Sequence, residues 1–168
     1  MITLATYKYT VKSLFNNKLV VQELYKAYEK YNDEYEINGF FIDRKHVGLL
    51  LMKHSNNHYV LKFTKSPLKP DMSGRTKPVI CDLCFTRQAG SKVSNITFVR
   101  ESDSHTFTWL LCSDLMCSVH ARGISEESKE SVKILGENVS VEKRIIRLEK
   151  HIAKMVNTLQ LVPLKGAM

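Results

Sequence analysis

The spacing of hydrophobic residues changes from helical to strand-like early in the chain. Between residues 9 and 31, apolar side chains recur at intervals of three and four, which predicts one amphipathic helix. Short apolar runs at 40–42, 47–52 and 59–63 are then separated by polar turns, which predicts a small antiparallel β meander. The apolar positions of the predicted helix are Val11, Leu14, Phe15, Leu19, Val20, Leu24 and Ala27.

The second half of the chain returns to strands and then to helices. Residues 93–100 and 106–111 predict two strands joined by a polar loop. A short helix is expected to begin at Ser113 and to end before Gly123, since glycine commonly follows a helix C-terminus. Residues 124–138 are rich in serine and glutamate, and we expect a loop there.

The last predicted helix has the clearest pattern. Ser140 can cap its N-terminus and Glu142 lies in its first turn, where negative charge is favoured. The apolar stripe of this helix is formed by Val141, Ile145, Leu148, Ile152, Val156 and Leu159. Its basic residues off that stripe are Lys143, Arg144, Arg147 and Lys150. The pattern predicts an amphipathic helix that packs one face on the core.

Residues 65–78 interrupt these periodic patterns. They contain three of the four prolines and a concentration of lysine and arginine. Such a composition predicts a basic connector or exposed loop. Its position just before the first cysteine pair also makes it a candidate clamp on a phosphate backbone, and both interpretations are kept.

The balance of charge indicates the kind of partner. The 168-residue chain has a formal net charge of +8 and a pI near 9.3, which favours an acidic protein, a nucleic acid or an anionic surface. It has no apolar run long enough to cross a membrane, and its first residues lack the pattern of a signal peptide. We therefore expect a cytoplasmic protein without a membrane partner, in which cysteines stay reduced.

The four cysteines form two close pairs. Cys81 and Cys84 are separated by two residues, and Cys112 and Cys117 by four. A tight turn aims the first two sulfur atoms at one point, and the wider pair suits one ligand before a helix and one in its first turn. Four thiolates bind zinc tetrahedrally and leave no position for water, which describes a structural metal site. A turn pair, a hairpin and a pair at a helix start form the layout of a treble-clef finger.

The four cysteines also allow other roles. One alternative is that the cysteines are small buried residues without a ligand role, although two pairs with no stray cysteine argue against it. A second alternative is a redox pair at Cys81 and Cys84, but such a pair belongs between a strand and a helix, and hairpin strands follow here. In a third variant His120 replaces Cys117 as a ligand. Metals other than zinc also accept four thiolates.

The expected fold class is α+β. It consists of an N-terminal helix, a small antiparallel β meander, a treble-clef zinc finger and a C-terminal amphipathic helix. The corresponding segments are an N-terminal helical segment at 1–36, the meander at 37–66, a basic proline-containing loop at 67–78, and the finger with the last helix at 79–168.

The sequence offers no arrangement of catalytic groups that suggests a reaction. Ser102, Asp103 and His105 have the residue types of a hydrolase triad, but they are neighbours in one loop, and a triad is assembled from distant segments. The chain has no phosphate-binding glycine loop and no histidine pair at helical metal-ligand spacing. We therefore expect a binding protein and not an enzyme.

From Ile80 onward the sequence resembles the elongation factor G-binding family, whose best-known members are the fusidic-acid-resistance proteins. The resemblance covers about half of the chain. Its motifs are residues 81–84, 93–99, 111–118, Arg122-Gly123, and 140–145 with Leu148. The N-terminal helical bundle of the resistance proteins is longer than the segment that precedes the first strand here.

The resemblance implies a C-terminal treble-clef finger that docks on elongation factor G and promotes its release from ribosomes, including ribosomes stalled by fusidic acid. It implies zinc ligation by Cys81, Cys84, Cys112 and Cys117, and it places Ile80 and Leu110 near the partner. Six basic residues are expected to face an acidic surface: Arg87, Lys92, Arg100, Arg122, Arg144 and Arg147. Two interpretations of Phe98 and Trp109 stay open: an apolar anchor for the partner, or part of the core.

Two further functions are kept as alternatives. The net charge and the basic residues of the 65–78 segment and the last helix also suit a finger that binds ribosomal or other RNA directly. Zinc sensing is the third hypothesis, and it requires metal that exchanges readily.

Overall fold

A five-stranded antiparallel sheet forms the centre of the computed structural model, which describes residues 2–70, 72, 77–135 and 138–164. The helices are α1 (Leu4–Leu14), α2 (Lys18–Ala27), α3 (Cys117–Ala121), α4 (Glu126–Leu135) and α5 (Val141–Leu159). The strands are β1 (Ile37–Ile42), β2 (Val47–His54), β3 (Asn57–Pro67), β4 (Val79–Ile80), β5 (Arg87–Gln88), β6 (Val93–Val99) and β7 (Thr106–Cys112). The fold class is α+β, as expected.

The main sheet has the strand order β1-β2-β3-β6-β7, and β4 pairs with β5 in a separate small sheet. Strand β3 joins the meander to the finger, because its second half pairs with β6 from Phe63 opposite Phe98 to Pro67 opposite Ser94. The meander and the finger hairpin therefore share one sheet. Strands β3 and β6 are far apart in sequence, and their pairing leaves no local sequence pattern. The sequence therefore predicted the meander and the finger as separate segments.

The single helix predicted for residues 9–31 is wrong. The chain forms α1 and α2 instead, separated by an extended break at Phe15 to Asn17. The side chain of Asn17 accepts hydrogen bonds from the backbone N–H groups of Leu19 and Val20, at 3.0 and 3.4 Å, and thereby starts a new helix. The continuous three-and-four spacing concealed this cap.

The two helices cover one face of the sheet. Tyr7, Val11 and Leu24 are buried there against Phe40 and Leu49. The opposite face carries the larger core. Its members include Leu50, Phe63, Phe98 and Leu111 from the sheet, together with Leu148, Ile152 and Met155 from α5. The sheet thus separates an N-terminal helical layer from a layer that contains the cysteine turns and the last helix.

The loop expected at 124–138 is also wrong, because residues Glu126–Leu135 form α4. Ser125 precedes this helix, and its hydroxyl accepts from the N–H of Ser128 at 3.2 Å, while Glu126 and Glu127 lie in the first turn. The short helix predicted from Ser113 begins only at Cys117. The reason is that residues 112–116 form a turn around the second cysteine pair.

The amphipathic C-terminal helix is confirmed. Its N-cap is Ser140, whose hydroxyl accepts from the N–H of Lys143 at 3.4 Å. Leu148, Ile152, Met155, Val156 and Leu159 form its buried face, while Val141 at its start is exposed.

The predicted basic connector falls partly outside what the structure describes. Residues 65–67 belong to β3, and positions 71 and 73–76 of the candidate phosphate clamp lie outside the described residues. Within the described part of the chain, no helix combines the length and apolar character needed to cross a bilayer.

Candidate metal centre

The first cysteine pair lies in a tight turn between β4 and β5. The N–H of Phe85 donates to the carbonyl of Cys81 at 3.0 Å, and the N–H of Cys81 donates to the carbonyl of Thr86 at 3.1 Å. Phe85 closes this turn in the left-handed region, with φ at 60°. The turn directs the sulfur atoms of Cys81 and Cys84 toward the same buried point.

The second pair is held by the junction between β7 and α3. Cys112 is the last residue of β7, and Cys117 is the first residue of α3. Between them the N–H of Leu115 donates to the carbonyl of Cys112 at 2.9 Å, and Leu115 is left-handed, with φ at 59°. This second tight turn brings Cys117 back over the end of the strand.

The four sulfur atoms form one compact cluster, and all lie within 4.8 Å of one another. Sγ of Cys81 is 3.7 Å from Sγ of Cys117, and Sγ of Cys84 is 3.5 Å from Sγ of Cys112. A tetrahedral site with zinc–sulfur bonds of about 2.3 Å requires sulfur–sulfur distances of about 3.8 Å. Because the cysteine side chains are almost fully buried, the donor set fits a dehydrated, four-coordinate metal ion.

The electrostatics of the cluster favour a cation once the thiols ionise. The other thiols raise the pKa of Cys117 well above its usual value. Burial opposes ionisation of Cys81 as well, but hydrogen bonds from its sulfur neighbours lower its pKa well below the usual value. The buried group therefore cannot hold four negative charges alone, whereas a divalent metal ion compensates them and releases the remaining protons.

Two polar side chains that the sequence did not single out support the sulfur atoms. The Nε2 group of Gln88 donates to Sγ of Cys112 at 3.1 Å, and the hydroxyl of Thr86 lies 3.3 Å from Sγ of Cys84. Both residues are buried. The amide of Gln88 stabilises thiolate charge on Cys112, and the hydroxyl oxygen of Thr86, which accepts from Sγ of Cys84, helps to orient that ligand.

His120 does not belong to the four-sulfur cluster. Its side chain is buried, with Nδ1 2.5 Å from the hydroxyl of Ser125 and Nε2 3.1 Å from Oδ2 of Asp114. These contacts tie the second cysteine turn to the start of α4. His120 and Asp114 also lie within 4.8 Å of the Cys112 sulfur, but the cluster already provides four ligands without them.

The first cysteine turn is fastened to the edge of the main sheet. The N–H of Asp82 donates to the carbonyl of Leu110 at 2.8 Å, and the N–H of Leu110 donates to Oδ2 of Asp82 at 2.7 Å. Asp82 thereby satisfies both backbone groups of Leu110, the carbonyl through its own N–H and the N–H through its carboxylate. The backbone of Leu110, which the resemblance placed near a partner, thus holds the metal site in position.

Several of the residues predicted to contact a partner are engaged within the chain. Phe98 is only 1% exposed and belongs to the core, so it cannot act as an exposed apolar anchor. Trp109 is partly buried between Phe98 and Phe107, with ring centroids 5.6 and 6.0 Å away. Arg100 binds the carboxylate of Asp103 and stacks over Phe107.

Two other predicted basic residues have carboxylate partners. Arg122 forms a bidentate ion pair with Glu36, so its guanidinium group faces the chain itself. Lys92 pairs with Glu127 at 2.6 Å, although its side chain stays exposed.

The remaining predicted residues lie around the first cysteine turn and α5. Ile80 is 42% exposed. The guanidinium carbon of Arg147 lies 4.9 Å from the ring centroid of Phe85, and that of Arg144 lies beside Gly123. Arg87 is half-buried on β5.

A family model described as the FBP C-terminal treble-clef zinc-finger matches residues 43–159. This range contains all four cysteines and every element from β2 to α5, and it leaves α1, α2 and β1 outside. No curated protein and no solved structure matches the chain.

Proposed function

The chain belongs to the FBP C-terminal treble-clef zinc-finger family, and on that premise we propose that it is a non-catalytic protein that binds elongation factor G. In this proposal the bound metal is zinc, the protein acts in the cytoplasm at the ribosome, and docking promotes release of the factor. Protection against fusidic acid follows from the same activity, since that drug holds the factor on the ribosome.

The observation that carries the proposal is a basic and aromatic surface beside the first cysteine turn. Arg144, Arg147, His151 and Lys154 recur along one side of α5 at helical spacing, and no acidic residue interrupts them. The ring of Phe85 lies between Arg147 and His151, at centroid distances of 4.9 and 4.7 Å. We call these four residues of α5 the basic stripe.

His151 is partly buried in this surface, with Lys154 and Arg147 nearby. Burial and the nearby cations of Lys154 and Arg147 lower the pKa of His151. A surface that disfavours an added positive charge favours a negatively charged partner. Ile80 beside the same turn adds an exposed apolar side chain, and an apolar contact within a charged surface is a common arrangement in protein interfaces.

The metal has a structural task in this proposal. Four sulfur ligands leave no coordination position for a substrate, so the ion supplies no reaction chemistry. It fixes the turn that carries Phe85 and the helix that carries Cys117, and a prearranged surface loses less conformational entropy on binding.

The proposal is tested by reversing the charge of the stripe. The variant Arg144→Glu/Arg147→Glu is expected to bind purified elongation factor G at least tenfold more weakly than the unmodified chain, as measured by calorimetry. A matched control is Lys12→Glu/Lys18→Glu, which makes the same charge change on the N-terminal helices, outside the range that the family model matches. Metal content is measured for both variants to show that the finger is intact.

Equal affinity of the stripe variant and the unmodified chain would contradict the assignment of this surface. A second substitution, Ile80→Ser, removes the exposed apolar contact without a change in charge. We expect it to weaken binding in physiological salt as strongly as in low salt, because an apolar contact is not screened.

A further inference from the structure

The N-terminal helices cover only half of their face of the sheet. They pack on β1 and β2, while the neighbouring strands β3, β6 and β7 leave polar side chains exposed or half-exposed on the same face. The register places these side chains side by side: Thr64 lies opposite Thr97, which lies opposite Thr108. We call this surface the open sheet face. Its polar members are Lys62, Thr64, Ser66, Asn95, Thr97 and Thr108, and the same register places the exposed Val99 and the half-buried Leu110 on it.

The open sheet face is rich in hydrogen-bonding groups and poor in negative charge. Strands β3, β6 and β7 contain no aspartate or glutamate. The hydroxyl oxygens of Thr97 and Thr108 are 2.9 Å apart and exposed to solvent. Hydroxyl, amide and lysine groups without carboxylates between them are the groups that bind phosphate and sugar oxygens in nucleic-acid complexes.

A groove of about 480 Å³ lies beside this face, where α1 meets α2. Lys12 and Lys18 stand on its rim with the amides of Asn16 and Gln22, and Tyr25 forms part of its wall. None of its lining residues is acidic. Within the described part of the chain, neither lysine has a carboxylate partner.

Lys62 connects the groove with the open sheet face. It belongs to β3, yet its Nζ lies 3.5 Å from the carbonyl oxygen of Leu14 and 5.0 Å from the ring centroid of Phe15 in the groove. Lys8 adds another cation, 5.6 Å from the ring centroid of Tyr25. The two surfaces therefore form one continuous area with positive charge along it.

We propose that the groove and the open sheet face together bind single-stranded RNA. The lysines neutralise phosphates, the hydroxyl and amide groups bond to the sugar–phosphate backbone, and the ring of Tyr25 offers a stacking surface for a base. An acidic protein segment is the less suitable occupant, since the open sheet face presents mainly hydroxyl, amide and lysine groups, with Val99 and Leu110 as its apolar side chains, whereas an interface core is mainly apolar. This activity is separate from the binding of elongation factor G, because it uses the other face of the sheet.

The test is fluorescence anisotropy of the metal-loaded chain with a labelled single-stranded RNA of about 12 nucleotides. We expect Lys12→Glu/Lys18→Glu to lower affinity at least tenfold at low salt. Since each phosphate contact with a single strand contributes about 0.7 to the slope of log K against log salt, losing two should reduce its magnitude by about 1.4. The matched control, Lys129→Glu/Lys133→Glu, makes the same charge change on α4 and should keep most of both affinity and slope.

Tyr25 supplies a second measurement. Tyr25→Phe keeps the ring and should retain RNA binding, whereas Tyr25→Leu keeps an apolar side chain without the ring and should lose about tenfold in affinity. Equal affinity of the two variants would overturn the stacking role.

Polyglutamate, a model of an acidic protein segment, is titrated in parallel. Three results would overturn the proposal: no RNA binding by the unmodified chain at low salt, equal losses of RNA affinity in the groove variant and the α4 control, or a groove variant that loses polyglutamate binding while it keeps RNA binding. The last result would assign the groove to acidic proteins. Elongation factor G is titrated with the same variants, so that loss of factor binding and loss of RNA binding are seen separately.

Discussion

Arg122, the residue that follows α3, and Glu36, just before β1, form a bidentate ion pair that connects the cysteine-bearing helix to the sheet. Nη1 of Arg122 donates to Oε2 of Glu36 and Nη2 donates to Oε1, each at 2.8 Å. The hydroxyl of Ser118 donates to the same carboxylate at 2.8 Å and accepts from the N–H of Ile37 at 3.1 Å. These hydrogen bonds therefore fix the helix that carries Cys117 to the start of β1.

The first prediction concerns this ion pair. Glu36→Gln removes the charge and leaves the largely buried Arg122 without its carboxylate, so we expect the free energy of unfolding at neutral pH to fall by about 1–3 kcal/mol. Denaturant unfolding measures the loss. The control Glu34→Gln, at an exposed neighbouring position, should change stability by less than about 0.5 kcal/mol. Equal effects would show that the pair contributes nothing specific.

The second prediction is the pH dependence of the same contact. Burial opposes ionisation of Glu36, but the hydrogen bonds from Arg122 and Ser118 outweigh it and lower the pKa of the carboxyl below its ordinary value of 4.5. A lowered pKa in the folded state contributes stability that is present above the ordinary value and is lost as pH falls through the folded-state value. The stability difference between the unmodified chain and Glu36→Gln should therefore shrink as pH falls below about 4.5.

Protonation of thiolate ligands weakens metal binding as pH falls, so metal content is measured at each point. Both proteins have the same four cysteines, and the difference between them isolates the carboxylate. A difference that stays constant from pH 7 to the acid limit would contradict the assignment.

The third prediction concerns the close approach of β1 and the second cysteine turn. A Cβ atom at Gly39 would lie only 2.3 Å from Cβ of Leu115, so Gly39→Ala must push the turn away from the strand. We expect a loss of about 1–3 kcal/mol in the free energy of unfolding. In the background Leu115→Gly, which removes the opposing atom, the same substitution should cost much less. Equal costs in both backgrounds, measured as a double-mutant cycle, would show that the contact is not responsible.

The fourth prediction is the ligand set. The purified chain should bind one zinc ion, and cobalt substitution should give the intense sulfur-to-metal absorption of a tetrahedral thiolate site. Cys117→Ser should weaken metal retention strongly, whereas His120→Asn should keep one ion and the same spectrum, because His120 makes hydrogen bonds to Ser125 and Asp114. A changed spectrum in His120→Asn would make the histidine a ligand. Rapid loss of zinc to a weak chelator would favour the sensing hypothesis.

The parts of the structure that could be predicted are those that short sequence patterns determine. Two cysteine pairs have a spacing that sterically suits a metal, and Ser140 begins a long helix with a regular apolar face. Asn17 and Ser125 are capping residues of the same kind, but the continuous apolar spacing around the first and the many serines around the second obscured them.

The contacts that position the site are of a different kind. Asp82 and Leu110 are 28 residues apart, and Glu36 and Arg122 are 86 residues apart. Nothing in either local sequence indicates its partner, because such contacts arise only when the sheet is assembled. For that reason the sequence offered Arg122 as a partner-binding residue, whereas the structure shows it bound to the chain itself.

The decisive measurement is direct binding of the chain to elongation factor G. The zinc-loaded chain is titrated into the purified factor by calorimetry at low and at high salt, with naked ribosomal RNA titrated in parallel. We expect saturable binding to the factor that survives high salt and that is lost when the metal is removed. Absence of factor binding at both salt concentrations, with RNA binding intact, would contradict it and leave an RNA-binding protein on a treble-clef scaffold.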